Sequence, residues 1–203
     1  MFLPDLRELS LLFAAVLLAV TVHEFAHALV ADRLGDPTPR QLGRLTLNPL
    51  AHLDVLGTIF FVLFRFGWAK PVPVNPRNFA NPRQGMLQVA LAGPLANVTV
   101  AFAVGLFFKT QGPPAPPWGE LAAMVVLINV VLAVFNLIPI PPLDGSRILE
   151  GLLPVEQAIA YRRIQPYGTI IILVLLYTRV IGSLLMPAVR WLYGLATGTG
   201  FLV

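Results

Sequence analysis

The sequence predicts an all-α integral membrane protein with about four to six transmembrane helices. It also predicts a re-entrant or β-like membrane-associated segment at about residues 46–76. Composition is the first observation behind this. Of 203 residues, 57% are hydrophobic and only 12% charged, against roughly 25% charged in soluble domains. Second, apolar runs of bilayer length, about 17–25 residues each, occupy 9–31, 86–108, 121–138 and 167–186. Third, a further apolar run, VLGTIFFVLFRF at 55–66, has only twelve residues and lies between Asp54 and a Gly/Pro-rich stretch. That is too short to span, so it reads as re-entrant or interfacial. Pro71, Pro73 and Pro76 behind it oppose helix and favour extended chain.

Residues 1–203 read as a single domain. The first apolar run carries His, Glu and His where a cleaved signal would end in small residues, so it reads as a retained span. The chain has no cysteine, which excludes disulfides and thiolate ligands. A metal here must use His, carboxylate or water. The net charge of +4 does not mark a nucleic-acid binder, because the cations sit mainly in two loops. Residues 32–85 hold Arg33, Arg40, Arg44, Arg65, Lys70, Arg77 and Arg83, and 139–166 hold Arg147, Arg162 and Arg163. The bias of Lys and Arg puts both loops in the cytoplasm. With four spans, both termini lie outside and the first span runs inward. His23 and His27 then fall in its cytoplasmic half, with Asp144 on the same side.

His23-Glu24-Phe25-Ala26-His27 lies inside a helical window. Residues four apart share a helix face about 6 Å apart along the axis, so two imidazoles can hold one ion. Glu24, about 100° round the helix, can reach a water bound to it. This is the zincin spacing, in which zinc polarises the scissile carbonyl and acidifies the water while the glutamate takes the proton. The bland alternative is a structural His/Glu cluster. Against it, an ionisable group at bilayer depth costs on the order of 2.5–3.5 kcal/mol even on insertion scales, so three within five residues of one span point to function.

Catalytic zinc needs a third protein ligand and one open position. The candidates are His52, Asp32 and Asp144. Asp32 follows the first helix too closely to fold back easily, and His52 reads as structural. Asp144 is the stronger candidate, since it opens the stretch SRILEGLL after Pro139, Pro141 and Pro142 have broken the third span. Its alternative role is an N-cap for that short helix.

These residues resemble the site-2 proteases, the intramembrane zinc metalloproteases. The resemblance covers nearly the whole chain. It rests on H-E-F-A-H, on Gly93-Pro-Leu-Ala-Asn97 and on Asn136-Leu-Ile-Pro139 followed by Leu143-Asp144-Gly145. LNPLAHLDVLGT and GWAKPVPVNP add to it, resembling the loop after the metal helix in bacterial members. The resemblance implies one zinc per chain held by His23, His27 and Asp144, with Glu24 as general base. It places Asn136 where an asparagine helps hold the oxyanion; the alternative is an interhelical hydrogen bond. Gly93 and Asn97 fit a G-x-x-x-[NSG] pattern associated with substrate handling, though small residues four apart also simply let helices pack.

The implied activity is hydrolysis of peptide bonds in single-pass transmembrane protein substrates near the cytoplasmic face. The implied setting is a bacterial inner membrane, with the bilayer as the other partner. No PDZ or nucleotide-sensing insertion is visible, so the chain reads as a minimal catalytic core. A membrane metal transporter or sensor and a non-cleaving pseudoprotease are the competing readings. The 46–76 segment is expected to present an edge for strand addition to an unwound substrate, with deletion of residues 68–76 as its test.

Overall fold

The computed structural model describes residues 6–64 and 67–198. Arg65 and Phe66, which close the short apolar run, lie outside the described residues, as do both ends of the 1–203 domain. The chain runs α1 (Leu6–Arg33), α2 (Thr38–Gln41), α3 (Val55–Phe64), α4 (Pro82–Gln111), α5 (Trp118–Asn136), α6 (Asp144–Leu152), α7 (Val155–Arg162), α8 (Gly168–Tyr177) and α9 (Val180–Thr197). Among the described residues, five stretches are long and apolar enough to cross a bilayer: α1, α4, α5, Val155–Tyr177 and α9. This is an all-α membrane protein, and the first three predicted spans coincide with α1, α4 and α5.

Small residues set the packing. α1 buries Ala15, Ala19, Ala28 and Ala31 completely where it meets α4 and α5. Without a hydrophobic drive between helices in lipid, close backbone approach is what dispersion forces need. On the other side of α4 and α5, Ala101, Val126, Val130 and Val134 enclose Val189 and Ala196 of α9. A Cβ added to Gly105 would lie 2.3 Å from the Ala196 carbonyl oxygen, so α4 and α9 touch backbone to backbone there.

The predicted fourth span needs correction. Run 167–186 is not one helix. It breaks at Arg179, whose φ of 60° is left-handed, into α8 and α9. The left-handed region costs a non-glycine residue about 1–2 kcal/mol, and the apolar composition on both sides hides the break. Nor do Val155–Tyr177 and α9 make two opposed crossings. Arg7 pairs with Glu120 at 2.8 Å, joining the starts of α1 and α5 at one end of the bundle. At that same end the Lys109 ammonium donates to the Leu195 carbonyl. α9 therefore finishes where α1 begins, and α7 to α9 together make one net traverse.

The 34–81 connection lies at the other end. The fully buried Asp36 accepts hydrogen bonds from the Thr38 N–H and hydroxyl, the Asn75 N–H and the Asn78 amide. Burial alone would raise its carboxyl, but these donors win and hold it below its ordinary value. Within predicted segment 46–76, α3 occupies the centre. Among the described residues, the β-like element reduces to a single antiparallel bridge between Leu53 and Ala69. The re-entrant character remains. Phe61 packs on Phe13 with ring centroids 5.8 Å apart, and Phe13 lies ten residues before His23, about 15 Å along α1. The chain then returns beside α3, where a Cβ on Gly57 would sit 2.1 Å from the Trp68 carbonyl.

Candidate metal centre

α1 presents His23 and His27 one turn apart, both buried, with ring planes at 88°. α4 crosses at their level because Gly93 has no side chain. A Cβ there would fall 2.5 Å from His23 Cε1 and 2.5 Å from His27 Nε2. Here the Val89 carbonyl accepts from His27 Nδ1 at 2.7 Å. A carbonyl can only accept, so His27 carries its proton on Nδ1 and turns Nε2 inward.

Asp144 arrives on α6, which packs against α4. α5 ends at Asn136, and the chain wraps so tightly that a Cβ on Gly145 would meet the Leu137 carbonyl oxygen at 2.3 Å. The N-cap of α6 is Leu143, and Asp144 is the first helical residue. The capping alternative for Asp144 is thereby removed. Its carboxylate instead points at the imidazoles, with Oδ2 3.1 Å from His23 Nε2 and 3.2 Å from His27 Nε2. The two Nε2 atoms are 3.0 Å apart.

This triangle fits a zinc ion. Tetrahedral ligands at about 2.05 Å stand roughly 3.3 Å from one another, close to the three sides seen. The buried Oδ2 of Asp144 makes no well-directed hydrogen bond despite its short distances, as expected of an oxygen placed for coordination. Among the described residues, no other group of three His, Cys, Asp or Glu side chains comes together in this way.

The other expected residues divide. Glu24 is buried beside the triangle, and its Oε2 accepts from the Val72 N–H at 2.9 Å. Asn136 donates from its amide to the Leu132 carbonyl at 3.0 Å. Among the described residues no hydrogen bond joins it to the cluster. Asn97 lies behind His23, fully buried, with Oδ1 2.6 Å from His23 Nδ1. It presents no surface to a substrate in this arrangement. Neither rejected ligand approaches the triangle: Asp32 pairs with Arg40, and His52 donates from Nε2 to the Thr46 carbonyl. The sequence reading missed Asn129, Val72 and the Val89 carbonyl. A second asparagine within apolar run 121–138, seven residues before Asn136, was a signal for the first; backbone groups leave none.

Membrane-length helices around a His–His–Asp cluster, its imidazoles buried and a glutamate adjacent, define a membrane metallohydrolase. Comparison with known proteins narrows this. The model for peptidase family M50 matches residues 115–178. YwhC of Bacillus subtilis is 39% identical over 185 residues, covering 87% of this chain and 84% of its own length. Rip2 of Mycolicibacterium smegmatis is 31% identical over 199 residues, covering 95% and 76%. Both proteins carry the term zinc metalloprotease in their names. No solved structure matches. The chain belongs to peptidase family M50, the site-2 proteases, and is a zinc metalloprotease.

Proposed function

We propose that this protein hydrolyses peptide bonds of single-pass transmembrane proteins near the cytoplasmic face of a bacterial inner membrane. The observation that carries the reading is the 3.0–3.2 Å triangle of His23, His27 and Asp144 with Glu24 beside it. These three residues would hold one zinc ion, which when bound supplies a Lewis acid and an acidified water. Glu24 takes the proton of the attacking water and delivers it to the departing amide nitrogen. The Val72 N–H fixes one of its oxygens and leaves the other for this task. Asn136 has a second amide N–H beyond the one given to Leu132, available to the oxygen that becomes negative. Gly93 gives the imidazoles their room.

Peptide bonds in lipid are locked in helical hydrogen bonds, so the substrate must unwind beside the cluster. The 68–76 segment supports strand pairing through its carbonyls and the Val74 N–H. Pro71 and Pro73 have no N–H, Glu24 holds that of Val72, and Asp36 holds that of Asn75. Deleting 68–76 in a Glu24→Gln background is expected to weaken substrate capture, and unchanged capture would remove this role. Single cysteines at Arg163 and Lys109, labelled with a membrane-impermeant thiol reagent in right-side-out vesicles, test orientation. Lys109 is expected to react and Arg163 to stay protected.

The principal test coexpresses candidate single-pass substrates with wild type and Glu24→Gln. Loss of fragments by about 10²–10⁴-fold, with zinc content retained, is expected. Undiminished cleavage would remove Glu24 as the base.

A further inference from the structure

Buried polar atoms behind the metal cluster form a single directed line across three helices. Asn129 of α5 donates from Nδ2 to the Val125 carbonyl at 2.8 Å, and its Oδ1 accepts from Asn97 Nδ2 of α4 at 2.8 Å. The same Asn97 nitrogen donates to the Ala19 carbonyl of α1 at 2.9 Å, and Asn97 Oδ1 faces His23 Nδ1 at 2.6 Å. Both amides are fully buried.

The polarity of this line is fixed at both ends by groups that can only accept. The Val125 carbonyl demands the amide nitrogen of Asn129, which turns the Asn129 oxygen toward Asn97. The Ala19 carbonyl and that oxygen both demand the Asn97 nitrogen, which turns the Asn97 oxygen toward His23. His23 must therefore donate from Nδ1, and its Nε2 lone pair faces Asp144 and His27. We infer that Asn129, through Asn97, is a positioning residue that fixes the tautomer and ring orientation of His23 for metal binding. Outer partners of this type act on ligand basicity and orientation, and losing one typically weakens metal binding 10–100-fold.

Asn129 makes no direct contact with the cluster, so its effect must pass through Asn97. A double-mutant cycle on zinc affinity, measured by chelator competition in detergent-solubilised full-length protein, reads this directly. Asn97→Leu is expected to weaken zinc by about 10–100-fold and Asn129→Leu by about tenfold. The double variant should bind no more weakly than Asn97→Leu alone. The d–d absorption of the cobalt(II)-substituted protein, which reports coordination geometry, should change in all three variants. Val189→Ala serves as the control for lost packing. It should lower thermal stability while leaving zinc affinity and the cobalt spectrum as they were.

Additive losses, or an Asn129→Leu protein with wild-type zinc affinity and cobalt spectrum, would overturn the inference. It rests on the metal site of the proposed function, but the two fail differently. A chain that binds zinc through the cycle as described yet cuts no substrate keeps the relay and loses the substrate assignment. A wild-type chain that binds no zinc loses both.

Discussion

α4 and the Val155–Tyr177 stretch are both long and apolar enough to cross a bilayer, yet they are built for different neighbours. In its most apolar window α4 buries 39% of its residues inside the protein, against 11% for Val155–Tyr177. α4 presents Gly85, Ala90, Gly93, Asn97, Ala101 and Gly105 inward. α8 reads GTIIILVLLY and buries little beyond Gly168 and Ile172. Lipid is as apolar as leucine, so burying a large side chain against protein gains little over leaving it in the bilayer. Close contact is decided by small residues and by polar groups that must find partners. The metal cluster sits where both are densest.

The same glycine-to-alanine change tests this most sharply in two places. At Gly93 the new methyl would meet both imidazoles at 2.5 Å. Zinc affinity should fall at least about 100-fold, as read by chelator competition. At Gly182 in α9 nothing lies within 4 Å, so zinc affinity should hold and helix propensity should gain up to about 1 kcal/mol. Equal effects would mean that the room Gly93 leaves on α4 does not set the geometry of the imidazoles.

A smaller contrast lies in packing. Val126→Ala removes a fully buried contact and should lower unfolding stability in detergent by about 1–3 kcal/mol. Leu173→Ala, at a residue 53% exposed, should stay within about 0.5 kcal/mol. A large loss at Leu173 would mean that α8 is as tightly packed as α5.

The smallest effect concerns the loop that anchors the packed region. Asp36 is shifted below its ordinary carboxylate value, so the stability it contributes is present above that value, about 3.9. It is lost as pH falls through the lower folded value. Amide exchange at Asn75 and Thr38 should accelerate on that descent. Asp36→Asn should show fast exchange at every pH.

Much of the site was legible before any coordinates. His23 and His27 are four apart on one helix, so one turn of backbone places them together whatever surrounds them. Asp144 was harder, and only the prolines before it marked the broken chain that carries it inward. Asn97 was visible as a residue type but not as a function, because a buried amide's role depends on which atoms face it. The break at Arg179 was hidden for a related reason: apolar composition reports lipid compatibility and says nothing about a turn within it.

The sequence by itself determined the membrane setting, the packed helices α1, α4 and α5, and the imidazole pair with its glutamate. These follow from local periodicity and from the free energy of burying charge in lipid, both written residue by residue. Only the tertiary structure decided that Asp144 closes the triangle, that Val72 holds Glu24, and that Asn129 and Asn97 reach His23 in one polarity. Those are contacts between residues as many as 121 positions apart in the chain. Helix packing brings them within hydrogen-bond reach, and no local pattern encodes that distance.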